Sequence, residues 1–238
     1  MIISVSHQKG GVGKSTISFN LGIEILKDFL GKKDSVNEFD NFYCVDLDYQ
    51  KSFTIFNTKR KLLNEKYNEK LPLLDIYTKN DFDNENDFIE FLTKNEKDLI
   101  LIDTGGYDSV YNRLSLIYSD LIITPISDSK IELYGLEIFK KILNDIKKID
   151  KTKKSYVLLN NVSVNRKNFN EYFEYVKDNE EYFNMLNTIV RNRKIYKDSF
   201  DFGKNVCELK HFKSCNEIQN LKSEVLEIAT NLLKEIEK

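Results

Sequence analysis

Short, almost unbroken apolar runs alternate along this chain with longer stretches in which apolar residues recur every three or four positions. The runs are Ile2–Ser6, Phe42–Leu47, Leu99–Asp103, Leu121–Pro125 and Tyr156–Asn160, with a weaker one at Leu186–Val190. Strands that are apolar on both sides belong to a parallel sheet covered on both faces. Helical spacing marks 14–30, 52–64, 84–94, 130–148, 168–178 and 214–236; in the first, Ile17, Leu21, Ile25 and Phe29 share one side. The alternation predicts an α/β chain, a single domain over 1–238 with a mainly parallel twisted sheet and helices on both faces. Right-handed crossovers would gather the strand C-terminal ends along one edge, where ligands bind.

Those ends carry the chemistry. Directly after the first run comes Lys9-Gly10-Gly11-Val12-Gly13-Lys14-Ser15-Thr16. A strand entering a glycine-rich loop that closes on Gly-Lys-Ser is a phosphate cradle, with backbone N–H groups turned toward one anion. Lys14 supplies a cation for the β- and γ-phosphates, and the Ser15 hydroxyl can ligate Mg²⁺. Position 8, usually glycine in such loops, is Gln8, and a second lysine, Lys9, stands at the loop entrance. The Leu99–Asp103 run ends in a carboxylate placed to hold metal-bound water opposite Ser15, and Thr104-Gly105-Gly106 follows it. The second run ends Asp46-Leu47-Asp48-Tyr49-Gln50, with carboxylates at a spacing of two on the same side of an extended chain.

The loop with its extra lysine resembles the deviant Walker A motif of the ParA/MinD family of dimerising P-loop ATPases. The likeness runs through nearly the whole chain. Asp46 to Ser52 is similar to the family's first switch, although Tyr49 replaces the usual proline and Lys51 the usual glycine. Ser119–Pro125 resembles the fourth-strand segment, and Arg191, Tyr196, Ser199 and Gly203 resemble the C-terminal block. The resemblance implies that ATP and Mg²⁺ are the cofactors and that the chain is an ATPase. Residues 9–16 would hold the nucleotide, and Asn160 or Asn161 would meet the adenine. Ser15, Asp46 and Asp103 would serve the metal. Lys9, Lys14 and Asp48 would be catalytic, with Asp48 orienting the attacking water and Lys9 reaching a partner's phosphates across an ATP-dependent homodimer. The chain begins at the first strand, as in the small, ParF-like type, whose separate centromere-binding partner (ParB- or ParG-like) recognises the DNA.

Composition adjusts this picture in a few places. Net charge is −2, so no global basic field exists. Lysines are nevertheless crowded in 140–154, and basic residues recur through 191–213. Lys153, Lys154, Arg191 and Arg193 are the candidate contacts for non-specific duplex DNA. The last helix has an apolar stripe (Ile218, Leu221, Val225, Ile228, Leu232, Ile236). Its glutamates 217, 224, 227, 235 and 237 outnumber its lysines 222, 234 and 238, a poor match for anionic lipid and a better one for packing on the sheet. Cys44, Cys207 and Cys215 form no C-x-x-C pair, which suits a reducing cytoplasm and argues against a zinc or iron–sulfur site. No leader precedes the first strand, and no run is long enough to span a membrane. The expected function is a DNA-partition ATPase, cytoplasmic and nucleoid-associated in its ATP state. The alternatives are a MinD-like or other cargo-positioning ATPase of the same fold, or a metabolic P-loop enzyme.

Overall fold

The computed structural model describes residues 1–236. The elements run β1 (Ile2–Val5), α1 (Lys14–Leu30), β2 (Asn41–Asp46), α2 (Ser52–Tyr67), β3 (Ile76–Thr78), α3 (Glu85–Thr93), β4 (Asp98–Asp103), α4 (Val110–Tyr118), β5 (Leu121–Ile126), α5 (Ile131–Ile146), β6 (Ser155–Val162), α6 (Asn170–Asp178), β7 (Phe183–Arg191), α7 (Lys194–Phe202) and α8 (Phe212–Ile236). The strands form one sheet in the order β3-β2-β4-β1-β5-β6-β7, every pair parallel. The expected α/β architecture is therefore observed.

The pleat sorts the core. In β4, Leu99 and Leu101 pack with α1 and α8, while Ile100 and Ile102 face the other way, beside Phe88 of α3 and Tyr111 of α4. Likewise Leu121 and Ile123 of β5 join the first layer, and Ile122 and Ile126 join Leu136, Phe139 and Leu143 of α5. A strand apolar at every position is thus one with helices on both sides.

From β1 the chain moves to β2 on one side, and from β5 it moves to β6 on the other. β1 lies at the point where the winding direction changes, and the crevice outside its C-terminal end is where this architecture receives ligands. Register fixes what surrounds that crevice: Val5 is level with Asp103, and Asp103 with Asp46.

The last helix settles onto the fold as its stripe suggests. Ile218, Leu221, Val225, Leu226 and Ala229 are buried in the core shared with α1. Glu224 accepts hydrogen bonds from the Asn187 and Thr188 N–H groups at 2.6 and 3.0 Å, and Glu217 accepts from Arg191 N–H at 3.2 Å. The acidic residues of α8 thereby satisfy backbone donors of β7, the edge strand. Glu237 and Lys238, part of the charge count above, lie outside the described residues. Among the described residues no helix is long and apolar enough to cross a membrane.

The three cysteines divide into a pair and a single. The loop between α7 and α8 turns back on the start of α8, with His211 N–H bonded to the Val206 carbonyl and Cys215 N–H to the His211 carbonyl. This brings Cys207 and Cys215 together as a disulfide, and Cys44 alone remains a free, buried thiol.

Candidate nucleotide and hydrolysis site

The loop after β1 takes its shape from glycines where no other residue fits. Gly11 and Gly13 lie at φ +78° and +89°. A Cβ on Gly13 would also meet the Asn160 amide nitrogen at 2.4 Å. That amide donates to the Val12 carbonyl at 2.7 Å, so β6 braces the loop from behind. α1 starts at Lys14 with neither a side-chain cap nor an acidic residue in its first turn. Its leading N–H groups and its dipole therefore face an open cleft, the arrangement that binds an anion.

That cleft, of 620 Å³, is lined by Gly10, Gly11, Gly13, Lys14, Ser15, Thr16, Asp48, Tyr49 and Tyr107. A second cavity of 460 Å³ adjoins it across Gly11, Gly13, Thr16 and Phe200, and continues to Asn161, Arg193 and Tyr196. The first carries Lys14 and Asp48 beside Tyr49 and Tyr107, and the second carries Arg191, Arg193, Lys194 and Lys197 beside Tyr196. A groove of 670 Å³ at the far end of α1 is a different matter. There Lys222 and Lys33 both pair with the buried Asp28, at 2.6 and 2.7 Å, and the groove lies away from the strand ends.

Lys14 sits in the loop with its ammonium 3.1 Å from the Lys9 carbonyl. Burial pulls its proton affinity below the ordinary lysine range, while Asp103 and Asp48 push it back up. Asp103 is fully buried, and burial together with the charge of Asp46 raises its pKa to about 7. One of its oxygens accepts from Ser18 at 2.8 Å; the other, Oδ2, is buried without a partner. Asp46 is also buried and raised by burial, but its oxygens are engaged: Oδ2 accepts from Thr54 N–H and hydroxyl at 2.8 and 2.7 Å, and Oδ1 from Asp48 N–H at 3.1 Å. Asp46 thus shapes the loop after β2 and ties it to α2. Asp48 lines the cleft, with Oδ1 accepting from Gln50 N–H at 2.9 Å.

The donor set suits Mg²⁺. Ser15 and the orphaned Asp103 oxygen are hard oxygen groups at the phosphate end, and a Mg²⁺ site of this kind is completed by water and phosphate rather than by a protein cage. The described residues hold no cluster of three or more His, Cys, Asp or Glu placed for a metal.

Lys9 points to the other side of the loop. Its ammonium is 2.6 Å from Glu132 of α5; the lysine side chain is 40% exposed and the carboxylate 4%. Behind this pair lies His7, buried and stacked on Phe139. Its Nδ1 accepts from Lys9 N–H at 2.9 Å, and burial lowers its pKa to about 4.

The two asparagines separate. Asn160 is buried, its amide committed to Val12, whereas Asn161 is exposed at φ +57° on the cavity wall. The expected cationic face does not form as a free surface. Arg193 is ion-paired with Glu217 at 2.5 Å, and Arg191 donates to the Ser163 and Arg166 carbonyls at 3.0 and 2.8 Å. Lys153 is tucked against the Ser119 carbonyl and Asp150. The linear sequence hides these partners, which come from other elements. Of the four, Lys154 alone makes no side-chain hydrogen bond or ion pair among the described residues. Ser18 was missed: it lies one helical turn beyond Lys14 and carries no motif of its own.

The model of the MipZ ATPase family matches residues 1–198. The chain belongs to that family. The site is accordingly that of an ATPase of the ParA/MinD kind. Solved structures repeat the fold at low identity. The Cyanothece McdA–ATP complex is 14% identical over 94% of this chain and 95% of its own, with a TM-score of 0.65. The MinD cell division protein of Aquifex aeolicus is 14% identical over 95% and 96%, with a TM-score of 0.62. A plasmid partition protein of Borrelia burgdorferi is 18% identical over 95% and 98%, with a TM-score of 0.59. No curated protein matches the sequence significantly.

Proposed function

We propose that this ATPase is a positional switch for DNA partition, cycling between an apo or ADP monomer and an ATP-bound dimer. ATP lies with its phosphates on the residue 10–16 loop and its base toward Asn161. Mg²⁺, held by Ser15 and through water by Asp103, would offset phosphate charge. Lys14 neutralises the β/γ end, and the α1 amides hold the phosphates in place. Asp48 orients a water in line with the γ-phosphorus. As the new P–O bond forms, the bond to the bridging oxygen breaks, its electron pair leaves with ADP, and the water proton leaves with phosphate.

The observation that carries the dimer is Lys9. It is a second lysine at the loop entrance, turned away from its own cleft, and its ammonium is held at 2.6 Å by Glu132. Two nucleotides facing each other across a dimer repel, and a cation from each protomer offsets that repulsion. Partition as the task rests on the ParA resemblance and on relatives named for plasmid partition. The protein is then cytoplasmic, with a small centromere-binding partner and a nucleoid-bound ATP state. Since Arg191, Arg193 and Lys153 are engaged internally, the DNA contacts fall to exposed cations such as Lys210 and Lys213 near the start of α8.

The test is ATP turnover and filter binding with duplex DNA of unrelated sequences, with and without a non-hydrolysable ATP analogue. DNA binding that requires the analogue, and that Lys210→Glu/Lys213→Glu weakens without changing ATP affinity, supports the reading. Equal DNA affinity with and without nucleotide refutes the switch. ATP-dependent dimerisation with no DNA binding at any salt turns the reading to cargo other than DNA.

A further inference from the structure

Tyr107 stands over the phosphate end of the cleft on the loop that follows β4, and it is bound to the neighbouring loop as well as its own. Its ring lies flat against Gly105, where a Cβ would come within 2.5 Å of a ring carbon. Its backbone carbonyl accepts from the buried Asn112 amide at 2.6 Å, and Asn112 N–H is bonded to Ser109, the cap of α4. The base of the loop is thus fixed to a helix. The ring then spans to the loop after β2, where the hydroxyl donates to the Leu47 carbonyl at 3.3 Å. Leu47 N–H in turn donates to the Asp103 carbonyl at 2.9 Å.

The position of that carbonyl matters. It belongs to the peptide unit joining Leu47 to Asp48, so the phenol holds the backbone from which Asp48 projects into the cleft. Asp48 is otherwise held from within its own strand and turn: its N–H donates to Asp46 Oδ1 at 3.1 Å, its carbonyl accepts from Lys51 N–H at 3.0 Å and its carboxylate from Gln50 N–H at 2.9 Å, while Tyr49 beside it is 88% exposed. The Tyr107 hydroxyl adds to these local bonds a side-chain tether from the loop after β4, on the carbonyl side of the same peptide. The phenol also lies close enough to Asp48 and Asp46 for their charges, after burial, to raise its pKa, so it stays a proton donor.

We infer that Tyr107 is a positioning residue for hydrolysis, its hydroxyl holding the Leu47–Asp48 peptide so that the Asp48 carboxylate meets the attacking water. The inference rests on the proposed role of Asp48. Tyr107 makes no hydrogen bond to the glycine loop's amides or to Ser15, so its hydroxyl takes no part in shaping the phosphate cradle. A 1 Å drift of the carboxylate, by contrast, is enough to slow a reaction that depends on alignment.

Tyr107→Phe removes the hydroxyl and keeps the ring. Loss of one neutral hydrogen bond to a backbone carbonyl should lower kcat by about three- to tenfold. KM, affinity for a fluorescent ATP analogue and analogue-driven dimerisation by light scattering should stay at wild-type values, and the thermal midpoint should fall by no more than about 2–4 °C. Tyr107→Leu, which also frees the ring from Gly105, should lower kcat further with affinity still intact. In an Asp48→Asn background, followed by single turnover, Tyr107→Phe should cost nothing more, because the carboxylate it positions is gone. A wild-type kcat in Tyr107→Phe overturns the inference. So does a loss that appears equally in ATP affinity, or one that disappears once dimer formation is restored. Unaltered turnover in Asp48→Asn alone sinks the parent assignment instead, a result read from a different variant.

Discussion

Replacing Lys9 by alanine should have two separable effects, one on the monomer and one on assembly. In the monomer, the Glu132 carboxylate is 4% exposed; it accepts from Lys9 at 2.6 Å and from the Ser127 hydroxyl at 3.0 Å, and its second oxygen has no partner. Removing the ammonium leaves a buried carboxylate on one hydroxyl. Breaking a fully buried pair costs about 3–5 kcal/mol. The lysine end here is 40% exposed, so solvent already screens part of the attraction, and ~1–2 kcal/mol is the expected loss. Glu132→Gln takes the charge away, and the double variant Lys9→Ala/Glu132→Gln should recover stability to within about 0.5 kcal/mol of wild type. Urea unfolding of the wild type, both single variants and the double variant measures this cycle. A Lys9→Ala protein as stable as wild type, or one that Glu132→Gln fails to rescue, refutes the assigned pairing. The stabilised double variant then tests the second effect cleanly. It should bind a non-hydrolysable ATP analogue through Lys14 and the loop amides, yet remain monomeric by light scattering. Dimerisation at the wild-type analogue concentration would remove Lys9 from the interface and with it the main support for the switch.

Three further outcomes follow from the same geometry. Lys14→Ala should abolish ATP binding by calorimetry, since the cation at the β/γ end is lost; affinity within about twofold of wild type would sink the phosphate assignment. His7, held neutral with a pKa near 4 by burial, takes up a proton in the unfolded chain near pH 6.5 but not in the fold. This group should therefore subtract at most ~3 kcal/mol as pH drops from about 6.5 to about 4, against the opposite contribution of Asp103, whose raised pKa favours the fold as pH falls. The difference between the wild-type and His7→Asn urea-midpoint curves isolates it. Arg60 is fully buried and holds Glu208 through two hydrogen bonds at 2.6 and 2.9 Å, so Arg60→Ala should cost about 3 kcal/mol or more, and Arg60→Met/Glu208→Leu much less. Equal unfolding midpoints for those last two variants would count against it.

The parts of this molecule that the sequence makes legible are those governed by local pattern. β1, β4 and β5 are largely apolar because both faces are covered, with Ser4 and Thr124 as buried polar exceptions, and the glycine loop follows the first of them with its lysine and serine in fixed spacing. What escapes the pattern is short or depends on distant partners. β3 has only Ile76–Thr78 and sits at the sheet edge, too brief to establish a period. α4 and α7, nine residues each, were not read as helices. α4 did carry a signal, since Ser109 caps it by accepting from Asn112 N–H. For α7 the signal is Gly203, at φ +62°, at its C-terminal end. The surroundings of the basic residues are hidden for a different reason. A count of lysines and arginines treats each as free, whereas Arg193 finds Glu217 on α8 and Lys153 finds a carbonyl on the other side of β5. Electrostatic partners separated by tens of residues are fixed by topology, not by spacing.

The same dependence on distant partners explains how the two ends of the cleft are joined. α2 begins just after Asp48, and its Lys59 donates to the Phe200 carbonyl at 3.1 Å while lying 4.0 Å over the Phe200 ring. The next residue, Arg60, reaches the Gly203 carbonyl at 3.1 Å as well as Glu208. Phe200 lines both cavities. α1 is bound to the same segment, since Asn20 accepts from Val206 N–H at 3.0 Å and Glu24 from the Asn205 amide at 2.6 Å. The helix that begins at the phosphate loop, the helix that follows Asp48 and the wall at the far end of the cleft therefore share one buried polar network. Such a network is costly to leave half-satisfied, so its members keep their places together. Freedom to respond to nucleotide is left to the segments outside it, above all the exposed turn at Tyr49 and Gln50, which adjoins the Leu47–Asp48 peptide that the Tyr107 hydroxyl holds.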